Sequence, residues 1–205
     1  MEANNQNTEQ IILEAATEVF LDKGFLGAKT TEIAQKADVN HALLHYYFRT
    51  KENLFNKVFE NKAFDFLNVF KNTFDKNLSF LEKVKEIVEA HFNFIAKDPK
   101  IPIFIIREII TNKEKRDFIL TQIIPGGASV LKELEKLISE EVEKGNIRPV
   151  QPIDLLLNIA SLNVMTFVVA QVYYSFDDVE NENLQRFLAQ RRENNIELIL
   201  KSLEV

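Results

Sequence analysis

The chain has 205 residues, 46% hydrophobic and 27% charged, with a net charge of −6, a balance ordinary for a globular protein with ample apolar material for a core. It contains no cysteine, which excludes disulfides, thiol nucleophiles and cysteine-bound zinc and fits a reducing cytoplasm. Five glycines and five prolines leave few forced turns, so long helices with short connections are expected, and the opening MEANNQNTEQ lacks the basic and apolar segments of a secretion signal.

In chain order, residues 1–9 read as a tail. Ile11, Ile12, Ala15, Ala16, Val19 and Phe20 recur at helical spacing and predict a helix from Thr8 to Lys23, with Gly24 as a left-handed stop. A short helix over Thr30–Ala37, with Ile33, Ala34 and Ala37 inward, is followed by the break Asp38-Val39-Asn40. Asn40 is suited to cap the next helix, His41–Phe48, because its side-chain oxygen can accept from the exposed amides. Two short helices across a three-residue turn match the helix-turn-helix pattern, and the first helix supplies the apolar slab beneath them.

Thr50 caps a helix over Lys51–Phe74 whose apolar face is Leu54, Phe55, Val58, Phe59, Phe66, Leu67, Phe70 and Phe74. Ser79-Phe80-Leu81-Glu82 forms a capping box and opens a helix with Leu81, Val84, Ile87, Val88, Phe92 and Ile95 inward, ended by Asp98-Pro99. A short helix follows over Ile103–Ile110, then one from Lys113 that is interrupted at Pro125-Gly126-Gly127 and resumes from Ala128 to Lys144. Pro152 suits the first turn of a helix reaching Phe176, and the last helix runs from Glu182 to Leu203. The expected fold is all-α with about nine helices, a small head over residues 1–50 and a larger helical bundle over 51–205.

Charge is unevenly placed. Lys23, Lys29, Lys36, Arg49, Lys51 and Lys57 face only Glu32, Asp38 and Glu52 between residues 23 and 57, so this stretch is positive inside an acidic chain. Residues 30–54 read TTEIAQKADVNHALLHYYFRTKENL. The ordered run of Thr30-Thr31, Ile33-Ala34, Val39-Asn40, Leu44-His45-Tyr46-Tyr47-Phe48 and Lys51-Glu52-Asn53-Leu54 resembles the N-terminal signature of the TetR (tetracycline-repressor-like) family, in detail over residues 10–56. Asp38 stands where that family usually has Gly, Leu43 where Thr, Ser or Ala is common, and His45 where Tyr is common.

The spacing of Val39, Leu44 and Phe48 turns them inward, which leaves His41, Ala42, His45 and Tyr46 outward. Such a face suits base edges, whose donors and acceptors His can meet and whose thymine methyl Ala or Leu can touch. Tyr46, Tyr47 and Lys51 suit phosphate contacts, with Thr30 and Lys51 beside exposed helix amides. The resemblance places DNA contacts at Thr30, His41, Ala42, Leu43, His45, Tyr46, Tyr47 and Lys51. His41 and His45 have the spacing of a metal pair but lack a well-spaced third ligand, so no metal, cofactor or catalytic group is expected.

Leu155–Tyr174 is apolar nearly all round and long enough for a membrane. Its scattered Asn158, Ser161, Asn163, Thr166 and Gln171 favour a helix buried on several sides, with no membrane contact. The resemblance implies that the last two helices pair with those of a second copy, through residues such as Leu162, Val169, Tyr173, Phe187, Leu188, Leu198 and Ile199. It implies a homodimer on double-stranded DNA that reads a near-palindrome, with repression released by a small apolar effector among the body helices. His91, Arg107, Glu108 and Asn163 are polar groups amid apolar neighbours that could orient such a ligand. The acidic balance and Leu43 motivate an alternative, a helical protein-interaction module that has lost DNA binding.

Overall fold

The computed structural model describes residues 2–74, 77–118, 121, 128–174 and 182–205, with side chains except at 2–6, 63–74, 108–109, 115 and 118. Among the described residues there are ten helices and no strand. They are α1 (Glu2–Gly27), α2 (Thr30–Lys36), α3 (His41–Phe48), α4 (Lys51–Phe74) and α5 (Phe80–Lys97). Then come α6 (Lys100–Thr111), α7 (Lys113–Phe118), α8 (Ala128–Glu143), α9 (Pro152–Tyr173) and α10 (Glu182–Lys201). The all-helical expectation holds, and the helix read as interrupted is the pair α7 and α8. Pro125-Gly126-Gly127 lies outside the described residues, as does Phe176, where α9 was expected to end.

The predicted tail is helical instead: α1 begins at Glu2. Gly24 interrupts it with φ 68° and ψ 178°, a backbone state that only glycine adopts without strain. One more turn, through Gly27, follows that kink. Asn40 caps α3 as expected, its Oδ1 accepting from the Leu43 amide at 2.8 Å. Thr50 Oγ1 accepts from the Asn53 amide at 3.1 Å, and Ser79 and Glu82 close a reciprocal capping box on α5. Leu81 is 43% exposed rather than inward, because Phe80, one residue earlier, takes the buried position. Asp38 has φ 53°, the left-handed turn for which glycine is the easier residue.

The chain divides into two compact units: residues 1–65 with 103–123, and residues 66–102 with 124–205. In the first, α1, α2 and α3 close on a core that includes Ile12, Phe20, Phe25, Ile33, Leu44, Phe48, Leu54, Phe55 and Phe104. Phe55 is its hub, with ring centroids 5.1 Å from Phe20, 5.1 Å from Phe25 and 5.4 Å from Phe104. Phe66, Leu67, Phe70 and Phe74, expected on the apolar face of α4, lie outside the residues with described side chains.

In the second unit α5, α9 and α10 pack mutually and α8 joins them. One core gathers Val84, Ile87, Leu134, Ile138, Leu155, Ile159, Ile196 and Ile199, and another Phe92, Ile95, Phe167, Leu184 and Leu188. Among the residues expected at a pairing surface, Leu188 and Ile199 are therefore buried within the single chain. Val169, Tyr173 and Leu198 are exposed at 38%, 75% and 51%. Leu162 and Phe187 are half-buried.

Candidate nucleic-acid interface

The outer face of α3 follows from the phase of its inner one. Leu44 and Phe48, one turn apart, are buried in the head core, and Val39 packs against it. That fixes His41, Ala42, His45 and Tyr46 as exposed and leaves Leu43 and Tyr47 half-buried. Tyr46 and Tyr47 meet edge to face at 5.5 Å, a favoured aromatic geometry that holds both rings at the end of the helix. The His41 and His45 rings lie 6.4 Å apart.

The starts of α2, α3 and α4 converge. Thr30 Oγ1 lies 3.0 Å from His41 Nε2. Lys51 Nζ donates to the Ala28 carbonyl at 3.1 Å and stands 4.6 Å from the centroid of the Phe25 ring, so its position is set by a hydrogen bond and a cation–π contact together. Between these residues lies an open cleft of about 470 Å³ lined by Ala28, Lys29, Thr30, Thr31, His41, Leu44, His45, Arg49, Thr50 and Lys51. Three of the lining residues are cations, two are imidazoles, and none is a carboxylate.

Other basic side chains of the head are tied into its frame. Lys23 pairs with Glu32 at 2.5 Å and Lys36 with Glu18 at 2.6 Å, each joining α1 to α2. Four of the eight predicted DNA-contact residues, Thr30, His41, His45 and Lys51, line the cleft. Ala42, Leu43, Tyr46 and Tyr47 lie on α3 alongside it. Arg49 and Lys29 also line it; in the sequence they stand out only as charge, beside the helix starts at Thr30 and Lys51.

The four residues predicted to orient a ligand do not form one group. His91 and Asn163 are 4% and 0% exposed and touch, Asn163 Nδ2 lying 3.2 Å from His91 Nδ1. Asn163 Nδ2 also donates to the Val88 carbonyl at 3.0 Å. Asn195, which the sequence analysis missed, donates through Nδ2 to Asn163 Oδ1 at 3.0 Å and to Thr166 Oγ1 at 3.3 Å. Asn195 Oδ1 accepts from Arg191 at 2.9 Å. The donors all run one way, from Arg191 through Asn195 and Asn163 toward α5. With Asn163 donating, His91 Nδ1 is an acceptor, and burial pushes the imidazole down to about 4, favouring the neutral ring. Arg107 belongs to the first unit, against Gly24. The side chain of Glu108 lies outside the described residues.

Residues 12–58 match the profile of the bacterial regulatory proteins of the tetR family. The fatty acid metabolism regulator protein of Bacillus subtilis (strain 168) is 25% identical over 138 residues, 67% of this chain and 69% of that protein. A TetR family transcription regulator from Marinobacter aquaeolei VT8 has the same fold, with a TM-score of 0.75 at 16% identity over 99% of this chain and 98% of the other. FadR from Bacillus subtilis, solved in complex with stearoyl-CoA, gives a TM-score of 0.68 at 20% identity over 95% and 99% of the two chains. Residues 12–58 thus carry the signature of the tetR family of bacterial regulatory proteins, on a chain that shares its fold from end to end with a known member of that family.

Proposed function

We propose that the protein is a ligand-responsive transcription repressor that binds a near-palindromic operator as a homodimer in the cytoplasm. The observation that carries the reading is the outer face of α3: exposed His41, Ala42, His45 and Tyr46 beside a cleft lined by cations and free of carboxylates. In this reading His41, Ala42, Leu43 and His45 meet base edges. Thr30, Tyr46, Tyr47 and Lys51 hold the backbone, a division of labour common to helix-turn-helix proteins. Residues 1–50 act as the DNA-binding domain, and 51–205 carry dimerisation and the effector.

The apolar outer side of α9 supports dimerisation. Ile153, Leu157, Met165, Val172 and Tyr173 are each more than half exposed, and a groove of about 430 Å³ runs between Ser161, Leu162, Met165, Thr166, Val169, Phe187 and Arg191. A contiguous apolar surface of this kind is usually covered by a partner. The helix is also long and apolar enough to cross a membrane, with a mean hydropathy of 1.8; pairing with a second copy accounts for that character instead. Two heads spaced about 34–36 Å apart would read successive major-groove faces.

The effector proposed is an apolar acyl compound, and stearoyl-CoA is the probe, since a relative of the same fold binds it. Fluorescence anisotropy against DNA flanking the protein's own gene tests the whole reading, with sedimentation velocity to count copies. A sequence-preferring complex that weakens steeply with salt and dissociates on adding stearoyl-CoA is expected. Lys51→Ala should lower affinity about tenfold and reduce the salt slope by about one, as loss of a phosphate contact does. A folded dimer without salt-sensitive DNA binding would reject the repressor reading and leave the interaction module.

A further inference from the structure

The first unit contains a continuous series of contacts that starts on α6 and ends in the cleft. Phe104 anchors α6 in the head core at 4% exposure. One turn on, the Arg107 guanidinium fills the space beside Gly24: a methyl built there would lie 2.7 Å from Arg107 Cζ. Gly24, at the kink of α1, accepts through its carbonyl from the Ala28 amide at 3.1 Å. Ala28 in turn accepts from Lys51 Nζ through its own carbonyl at 3.1 Å. Ala28, Lys29 and Thr30 then form the cleft wall.

We propose that Arg107 is a positioning residue for DNA binding: its guanidinium, seated on Gly24, holds the last turn of α1 and, through Ala28, the Lys51 ammonium and the cleft wall. This rests on the DNA-binding reading, but Arg107 itself touches no DNA. The need for glycine at position 24 is then double. The backbone has positive φ, and the missing side chain leaves the flat seat.

The test uses the full chain with Arg107→Ala and Arg107→Lys, read by amide hydrogen exchange and by DNA anisotropy over a salt series. In Arg107→Ala the Ala28 amide should exchange about tenfold faster. The Tyr174 amide, bonded to the Ala170 carbonyl at 2.8 Å in the other unit, should keep its rate. DNA affinity should fall about fivefold with the salt slope unchanged, unlike Lys51→Ala. Arg107→Lys keeps the charge but lacks a flat group to lie on glycine, and should fall between wild type and alanine in both readouts. An unchanged Ala28 rate, equal acceleration at Tyr174, full wild-type behaviour of Arg107→Lys, or a salt slope reduced by about one would each overturn the proposal. So would faster Ala28 exchange with unaltered DNA affinity. If wild type binds no DNA while Ala28 exchange still accelerates, the seat stands and the DNA-binding reading fails.

Discussion

The outer face of α3 and the α5–α9–α10 core use the same kinds of polar side chain in opposite settings. In the head, His41, His45 and Thr30 sit at the rim of an open cleft with much of their hydrogen-bonding capacity turned outward. In the body, His91, Asn163, Asn195 and Thr166 are buried among three packed helices and spend that capacity inside, on one another and on Val88, Leu162 and Arg191. The difference teaches that residue type does not separate a binding group from a register pin; the third element closing over it does. Among the described residues, no third helix covers the outer face of α3, whereas Asn163 on α9 meets both α5 and α10.

Substitutions in the body should move stability without moving DNA affinity, and those on the head's outer face the reverse. The largest effect is expected from Asn163→Ala. It removes the buried hydrogen bonds from Asn163 to the Val88 carbonyl and His91 Nδ1 and the one it receives from Asn195, at a cost of about 4 kcal/mol, measured by urea unfolding. If the variant kept its stability and lost DNA binding, the contrast between the two regions would break.

Acid comes next. His91 is held neutral with its proton affinity lowered from 6.5 to about 4, so the unfolded chain takes up a proton that the folded chain refuses. Its contribution is complete above pH 6.5 and is lost as pH falls toward 4, by up to about 3 kcal/mol. Urea titrations of wild type and His91→Gln should diverge across that window, and parallel curves would remove the imidazole from the account. Asn40→Ala, which removes the cap of α3, should cost about 1 kcal/mol and sharpen the comparison by touching stability from the head. Asp38→Gly relieves a positive φ and should add about 0.5 kcal/mol; both are read as shifts in the thermal midpoint.

Local chemistry made the helix starts legible in the sequence. Asn40, Thr50 and the Ser79/Glu82 box act over three residues, and each cap formed as expected. The outward face of α3 followed from two buried positions one turn apart. The start of α1 was missed because its first residues carry no apolar stripe, the feature by which helices were recognised. On α9, apolar residues surround the axis, so periodicity could not say which side meets the body; Ile159 and Phe167 turned in, and Leu157 and Val172 out. Asn195 and the seat of Arg107 on Gly24 were both unforeseen, for a shared reason. Their partners lie 32 and 83 positions away, at Asn163 and Gly24, beyond any spacing rule.

The four tyrosines fall into two pairs, Tyr46-Tyr47 at the end of α3 and Tyr173-Tyr174 at the end of α9, in a chain without tryptophan. Excited at wavelengths that phenylalanine does not absorb, its intrinsic emission therefore arises from only two places, one in each compact unit. Replacing either pair by phenylalanine keeps the rings and silences that place, so the protein carries its own two-channel optical label. One channel watches the end of α3 and the other the end of α9, with no dye attached.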